Sequence, residues 1–134
     1  MRRILVLCTG NSCRSQIAEG YIRHFGGNAV EVYSAGIETH GVNPRAIETM
    51  KEDGIDISGN TSNNLNEYLN LDFDVILTVC DHAKEVCPVF PGNALRIHQN
   101  FPDPAKATGT EDEIKDAFRI VRDQIRVFCS ELVR

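Results

Sequence analysis

A single α/β domain on a four-stranded parallel sheet is what three features of this chain predict. Strand-like apolar runs alternate with helix-like amphipathic patterns, a glycine-containing turn joins the first strand directly to the first helix, and 134 residues leave room for one core. The domain is expected to span residues 1–134 in three layers, with helices on both faces of the sheet and ligands beyond the carboxyl ends of the strands. In chain order, ILVL at 4–7 reads as a buried strand, followed by EVYSAG at 31–36, FDVILTV at 73–79 and the weaker ALRI at 94–97. A first helix runs from about Ser15, with Ile17, Ala18, Tyr21, Ile22 and Phe25 at helical spacing, and stops at Gly26-Gly27. A second opens with Asn43 as its cap and Pro44 at the first helical position, carries Ala46, Ile47 and Met50, and ends at Gly54. For the last helix, Thr110 and Glu113 form a T-x-x-E capping box ahead of an apolar stripe of Ile114, Phe118, Val121, Ile125, Phe128 and Leu132. Between strands three and four, Pro88, Pro91 and Gly92 predict a segment outside regular structure, from 81 to about 92.

Charge and composition narrow the setting. A net charge of −5 argues against a general nucleic-acid or anionic-membrane binder, because both need a dense basic face. Any anion site must be local. Met1-Arg2-Arg3 is basic, but the apolar stretch after it is four residues, short of the roughly 7–15 of a signal-peptide core. No stretch approaches the roughly 20 apolar residues of a membrane span. The expected location is the cytoplasm, where thiols stay reduced, so five cysteines point to catalysis, redox work or metal rather than to a disulfide framework.

CTGNSCRS at 8–15 leaves the carboxyl end of strand one and enters helix one. Backbone N–H groups at such a turn converge on one space, and the helix N-terminus adds partial positive charge, so an oxyanion is favoured there. Arg14 offers a planar fork for two oxygens of a tetrahedral anion. Cys8 sits at the rim of this cup, and the field that binds an anion also stabilises a thiolate, which makes the sulfur nucleophilic. Ser15 is placed to hydrogen-bond that sulfur and Asn11 to brace the loop. A plain turn with two buried cysteines would leave the arginine, six residues after Cys8, unexplained. The expected anion-binding residues are Thr9, Gly10, Asn11, Ser12, Cys13, Arg14 and Ser15.

C-x-x-x-x-x-R-S in this position resembles the signature loop of the low-molecular-weight protein tyrosine phosphatases and of the arsenate reductases that share their fold. The neighbouring segments AEG, YSAGIETHGVNP and GIDIS are similar to those of arsenate reductases of the thiol-disulfide cascade type, and the likeness covers essentially the whole chain. In the phosphatase branch a D-P pair near the end is usually followed by an aromatic residue that lines a phosphotyrosine slot. Here Asp103-Pro104 is followed by Ala105-Lys106, so an aryl ring would lack its wall. Cys80 and Cys87, within VCDHAKEVCP, fall at the carboxyl end of strand three, the same edge as the Cys8 loop. A phosphatase needs no further thiols there, whereas reducing arsenate takes two electrons that a thiol pair can deliver. Two competing readings are that Cys80 simply ends a buried strand with Cys87 incidental, and that both cysteines hold zinc with His82 and a further ligand such as His98, although C-x6-C is not a usual zinc spacing.

The resemblance implies a mechanism. Cys8 attacks arsenate held by the loop and Arg14 while Asp103 protonates the departing oxygen, Cys80 attacks the Cys8 sulfur and releases arsenite, and Cys87 displaces Cys8 to leave a Cys80–Cys87 disulfide. Thioredoxin, or a glutaredoxin or glutathione system, would reset the pair. No cofactor is expected, and the protein is expected to act as a monomer without nucleic-acid or membrane partners. The alternative is a tyrosine or small-phosphoester phosphatase using Cys8, Arg14 and Asp103 alone. Cys13 and Cys129 read as packing residues, and His40 and His82 as surface histidines. Some relatives hold potassium through residues matching Asn11, Glu19 and Ser34 with an aspartate where this chain has Asn63. The lost charge should weaken such a site, and no metal is expected.

Overall fold

The computed structural model describes residues 1–88 and 90–134. Its four strands are β1 (Arg2–Cys8), β2 (Val30–Gly36), β3 (Val75–Thr78) and β4 (Leu95–His98). All pair in parallel, in the order β2-β1-β3-β4. β1 is therefore central, with Ile4 through Leu7 fully buried between neighbours on both sides, which is why its apolar residues run without alternation. From β1 the chain goes one way to β2 and the other way to β3. That reversal opens a crevice at the carboxyl end of β1, where Cys8 stands.

The helices are α1 (Arg14–Gly26), α2 (Pro44–Glu52), α3 (Asp81–Val86) and α4 (Glu111–Leu132), with short 3-10 turns at Gly27–Ala29, Leu65–Tyr68 and Pro104–Lys106. α1 packs on α4 and α2 touches both, while α3 lies against β1 and β3. The caps follow from sequence. Asn43 accepts from the backbone of Arg45 ahead of Pro44, and Thr110 and Glu113 complete a reciprocal capping box. Along α4 the inward residues Phe118, Val121, Ile125 and Cys129 recur at helical spacing, and Arg119 and Arg122 tie the helix to Glu52 of α2.

Strand boundaries differ from the sequence reading, by one residue in β2 and β4 and by more in β1 and β3. β1 extends to Arg2 and Cys8 because β2 offers ladder partners along its whole length, from Val30 to Gly36. β3 shrinks to Val75–Thr78 because β4 supplies only four partners. The segment expected to lack regular structure from 81 to about 92 instead begins with α3. Asp81 in its first turn and buried Ala83 favour the helix, and Cys87-Pro88 ends it because a residue before proline is pushed out of the helical region. Among the described residues, every buried side-chain nitrogen and oxygen has a hydrogen-bond partner, and no helix is long and apolar enough to cross a membrane.

Candidate active site

Residues 8–14 wrap a cavity of about 260 Å³, lined by Cys8, Thr9, Gly10, Ser12, Cys13 and Arg14 from the loop and by His40, Asp103, Ala105 and Lys106 from two other segments. The loop turns on Asn11, whose φ of 49° lies in the left-handed region that asparagine tolerates better than most side chains. Gly36 makes room for it, since a Cβ there would fall 2.7 Å from the Asn11 nitrogen and 2.7 Å from the Thr9 oxygen. Asn11 and Ser15 are fully buried and support the loop from behind rather than lining the cavity.

Behind the loop runs a buried polar chain. Asn11 Nδ2 donates to Ser15 Oγ at 2.8 Å and to Ser34 Oγ at 3.0 Å, and Ser34 donates in turn to Glu19 Oε1 at 2.7 Å. Ser15 Oγ lies 2.9 Å from Cys8 Sγ. With an oxygen lone pair already engaged by Asn11, the Ser15 proton is free to point at the sulfur. Gln16 ties the same turn to the 60–61 segment by donating to the Asn11 and Thr61 carbonyls and accepting from Asn60. Asn63 sends its amide to Glu67 and accepts from Thr61, so it offers no charged oxygen to the neighbourhood of Asn11 and Glu19.

Arg14 is held at the opposite wall. Nη1 donates to the Phe101 carbonyl at 3.1 Å, and Nη2 stands 3.6 Å from Asp103 Oδ2. Asp103 is itself oriented by accepting from the Ala105 backbone at 3.0 Å as the cap of the 104–106 turn. A cation and a carboxylate thus face the mouth of a thiol cup, with Lys106 adding a second cation. Among the described residues, no phenylalanine or tyrosine lines the cavity. His40, which reads from sequence as a surface histidine, packs its ring over Gly10 and bonds Glu38 through Nε2 at 2.8 Å. Nothing in its spacing marks it; the backbone bond from His40 to the Gly10 carbonyl brings it there.

The five cysteines separate by environment. Burial, then the negative charge of Asp103, pushes the Cys13 thiol up to about 12, and burial alone does the same to Cys129. Both stay protonated at neutral pH, in keeping with packing roles. Cys80 is buried just beyond β3, and its sulfur lies 3.3 Å from Thr9 Oγ1, one residue from Cys8. Cys87 closes α3, half-buried, with Arg96 Nη1 3.2 Å from its sulfur. His98 is committed elsewhere, to Thr78 and to Asp81, each at 2.7 Å, and His82 is exposed.

A thiol at the end of a central parallel strand, facing a cup shaped for a tetrahedral anion, suits enzymes that link cysteine sulfur covalently to an oxyanion. The family model described as low molecular weight phosphotyrosine protein phosphatase matches residues 3–134, and the chain belongs to that family. It is 54% identical over 122 residues to an arsenate reductase of Halalkalibacterium halodurans, covering 91% of this chain and 88% of that protein. An arsenate reductase of Bacillus subtilis is 49% identical over 122 residues with the same coverage. Among solved structures, an arsenate reductase in the phosphate binding state matches with a TM-score of 0.86 at 32% identity, covering 99% of this chain and 97% of the other.

Proposed function

We propose that this protein reduces arsenate to arsenite through Cys8 and a relay of the Cys8, Cys80 and Cys87 thiols, reset by an external dithiol of the thioredoxin kind. The observation that carries the reading is the placement of a second thiol, Cys80, against the Cys8 loop through Thr9. Hydrolysis of a phosphoester has no use for it. The arsenate reductases among the relatives point the same way.

The loop amides and Arg14 hold the oxyanion, and an anion taken up by Arg14 weakens that residue's hold on Asp103. Cys8 thiolate attacks arsenic, one oxygen leaves as water with a proton from Asp103, and a Cys8–arsenic bond forms. Cys80 then attacks Cys8 Sγ. The sulfur–arsenic bond breaks with its electron pair on arsenic, which departs as arsenite, and a Cys8–Cys80 disulfide remains. Cys87 thiolate attacks Cys80, Cys8 leaves as thiolate, and the disulfide now joins Cys80 to Cys87. These two cysteines flank α3, seven residues apart, which in helical geometry is about 10 Å. A disulfide needs Cα atoms within about 7 Å, so α3 must unwind during the last exchange. The hydrogen bond between the Thr9 hydroxyl and the Cys80 sulfur, at 3.3 Å, keeps that sulfur beside the Cys8 loop for the first exchange.

The test is arsenate-dependent NADPH consumption with thioredoxin and its reductase, run beside aryl phosphate hydrolysis. Oxidation of NADPH that requires arsenate supports the reductase, whereas fast aryl phosphate turnover without it makes the phosphatase reading the better one. Slow hydrolysis is expected as a side reaction, because the cup fits a phosphoryl group but, among the described residues, offers an aryl ring no phenylalanine or tyrosine wall.

A further inference from the structure

We propose that Arg96 tunes the Cys80–Cys87 couple: by directing its guanidinium at the Cys87 sulfur of the open pair it stabilises the reduced form and makes the disulfide easier for an external dithiol to open. The proposal rests on the thiol relay described above. Arg96 stands on β4 with Nη1 3.2 Å from Cys87 Sγ, while Nη2 donates to the Pro88 carbonyl at 3.2 Å. The second bond anchors the planar fork, so its charge is aimed at the sulfur and not spread through solvent. A guanidinium gains a charge-assisted hydrogen bond from a thiolate and much less from the neutral sulfur of a disulfide.

The contact also belongs to one redox state by geometry. Cys87 meets Arg96 at the far end of α3, and closing a bond to Cys80 shortens a span of about 10 Å to under about 7 Å, drawing the sulfur away. An interaction present in the dithiol and lost in the disulfide raises the reduction potential of the pair, which is the arrangement behind strongly oxidising disulfides. Electrons balance without a further reagent. A thiolate of the external dithiol attacks one sulfur of the Cys80–Cys87 bond and forms a mixed disulfide while the other sulfur leaves as thiolate. The second thiol of the reductant then closes its own disulfide and frees the remaining cysteine, so two electrons have moved and Cys87 returns to Arg96.

Redox titration of the full-length protein and of Arg96→Met in dithiothreitol buffers at neutral pH, with the Cys80–Cys87 bond quantified by peptide mass mapping, tests this. The variant disulfide should be about threefold to fivefold harder to reduce, the size expected of an exposed charge contact, which is about 14 to 21 mV more negative. Raising salt from about 0.05 to about 1 M should move the parent toward Arg96→Met and leave the variant in place, because screening acts on the charge alone. Arg96→Lys, which keeps the charge without the fork, should fall between them. Coincident titrations of parent and Arg96→Met at low salt overturn the proposal, as does a shift that persists undiminished at high salt. If the oxidised parent holds no Cys80–Cys87 bond at all, the relay itself is wrong and the proposal falls with it.

Discussion

At Cys8 the sulfur has the Ser15 hydroxyl 2.9 Å away and shares its cavity with Arg14, and the chemistry proposed for it needs a thiolate that serine in its place would not supply. Cys8→Ser should therefore abolish arsenate reduction and aryl phosphate hydrolysis together, and turnover surviving in that variant would place the chemistry elsewhere. Arg14→Lys should be severely impaired in oxyanion binding, since an ammonium cannot reproduce a fork already oriented by Phe101 and Asp103. Asp103→Asn should slow the first chemical step by about 10²–10⁴ with much less effect on oxyanion affinity. A single-turnover rate equal to the parent would remove Asp103 from the general-acid role. At this scale Cys8, Arg14 and Ser15 are readable from sequence because they share one short loop whose spacing alone sets their relation. Asp103 is readable only through a family pattern. His40, Lys106 and Arg96 carry no local signal, because each reaches its site by a segment folding back from elsewhere in the chain.

α3 is the element on which the proposed relay turns. Its six residues are bracketed by Cys80 at the N-cap and Cys87 at the C-cap, so its length sets the distance between the two thiols. Cys87→Ser should complete one arsenate turnover and then stop with a Cys8–Cys80 bond trapped near the cup, where an external dithiol reaches it poorly. Cys80→Ser should keep slow hydrolysis of an aryl phosphate but release no arsenite even once, because no thiol is left to attack the Cys8 adduct. Quenched-flow assay of arsenite with mass mapping of the disulfides checks both, and parental cycling in either variant would sink the relay. The helix itself escapes the sequence reading because a proline-rich stretch follows it closely. Pro88 limits where a helix stops and says nothing against a short one before it. Both ends are also tied to tertiary partners on β4, Asp81 to His98 and Cys87 to Arg96.

Across the molecule, the sheet and α1 are held to α2 and α4 by a polar junction as well as by the core. Tyr21, buried on α1, donates to Asp53 Oδ2 at 2.7 Å, and Arg126 of α4 approaches the same oxygen at 3.4 Å. The Tyr21 hydrogen bond, with help from Arg126, holds the Asp53 carboxyl below the usual carboxylate range. A carboxylate so depressed contributes stability above its unfolded value of about 4 and loses it as pH falls through the folded one. Asp53→Asn should thus cost about 1 kcal/mol at neutral pH, after allowance for a partly exposed site, and progressively less at an acid pH where the folded-state carboxyl takes up its proton. Urea unfolding at the two pH values checks this, and an equal cost at both would rule out the charge as the cause. The sequence by itself determined the parallel α/β class, the capped helices and the anion cup, because each rests on periodicity, capping chemistry or spacing within a few residues. Only the tertiary structure decided which strand is central, that Cys80 abuts Thr9, that Arg96 meets Cys87, and that His40 and Lys106 line the Cys8 cavity. Strand order and the meeting of distant loops are set by how apolar faces pack together, and that depends on the whole chain at once.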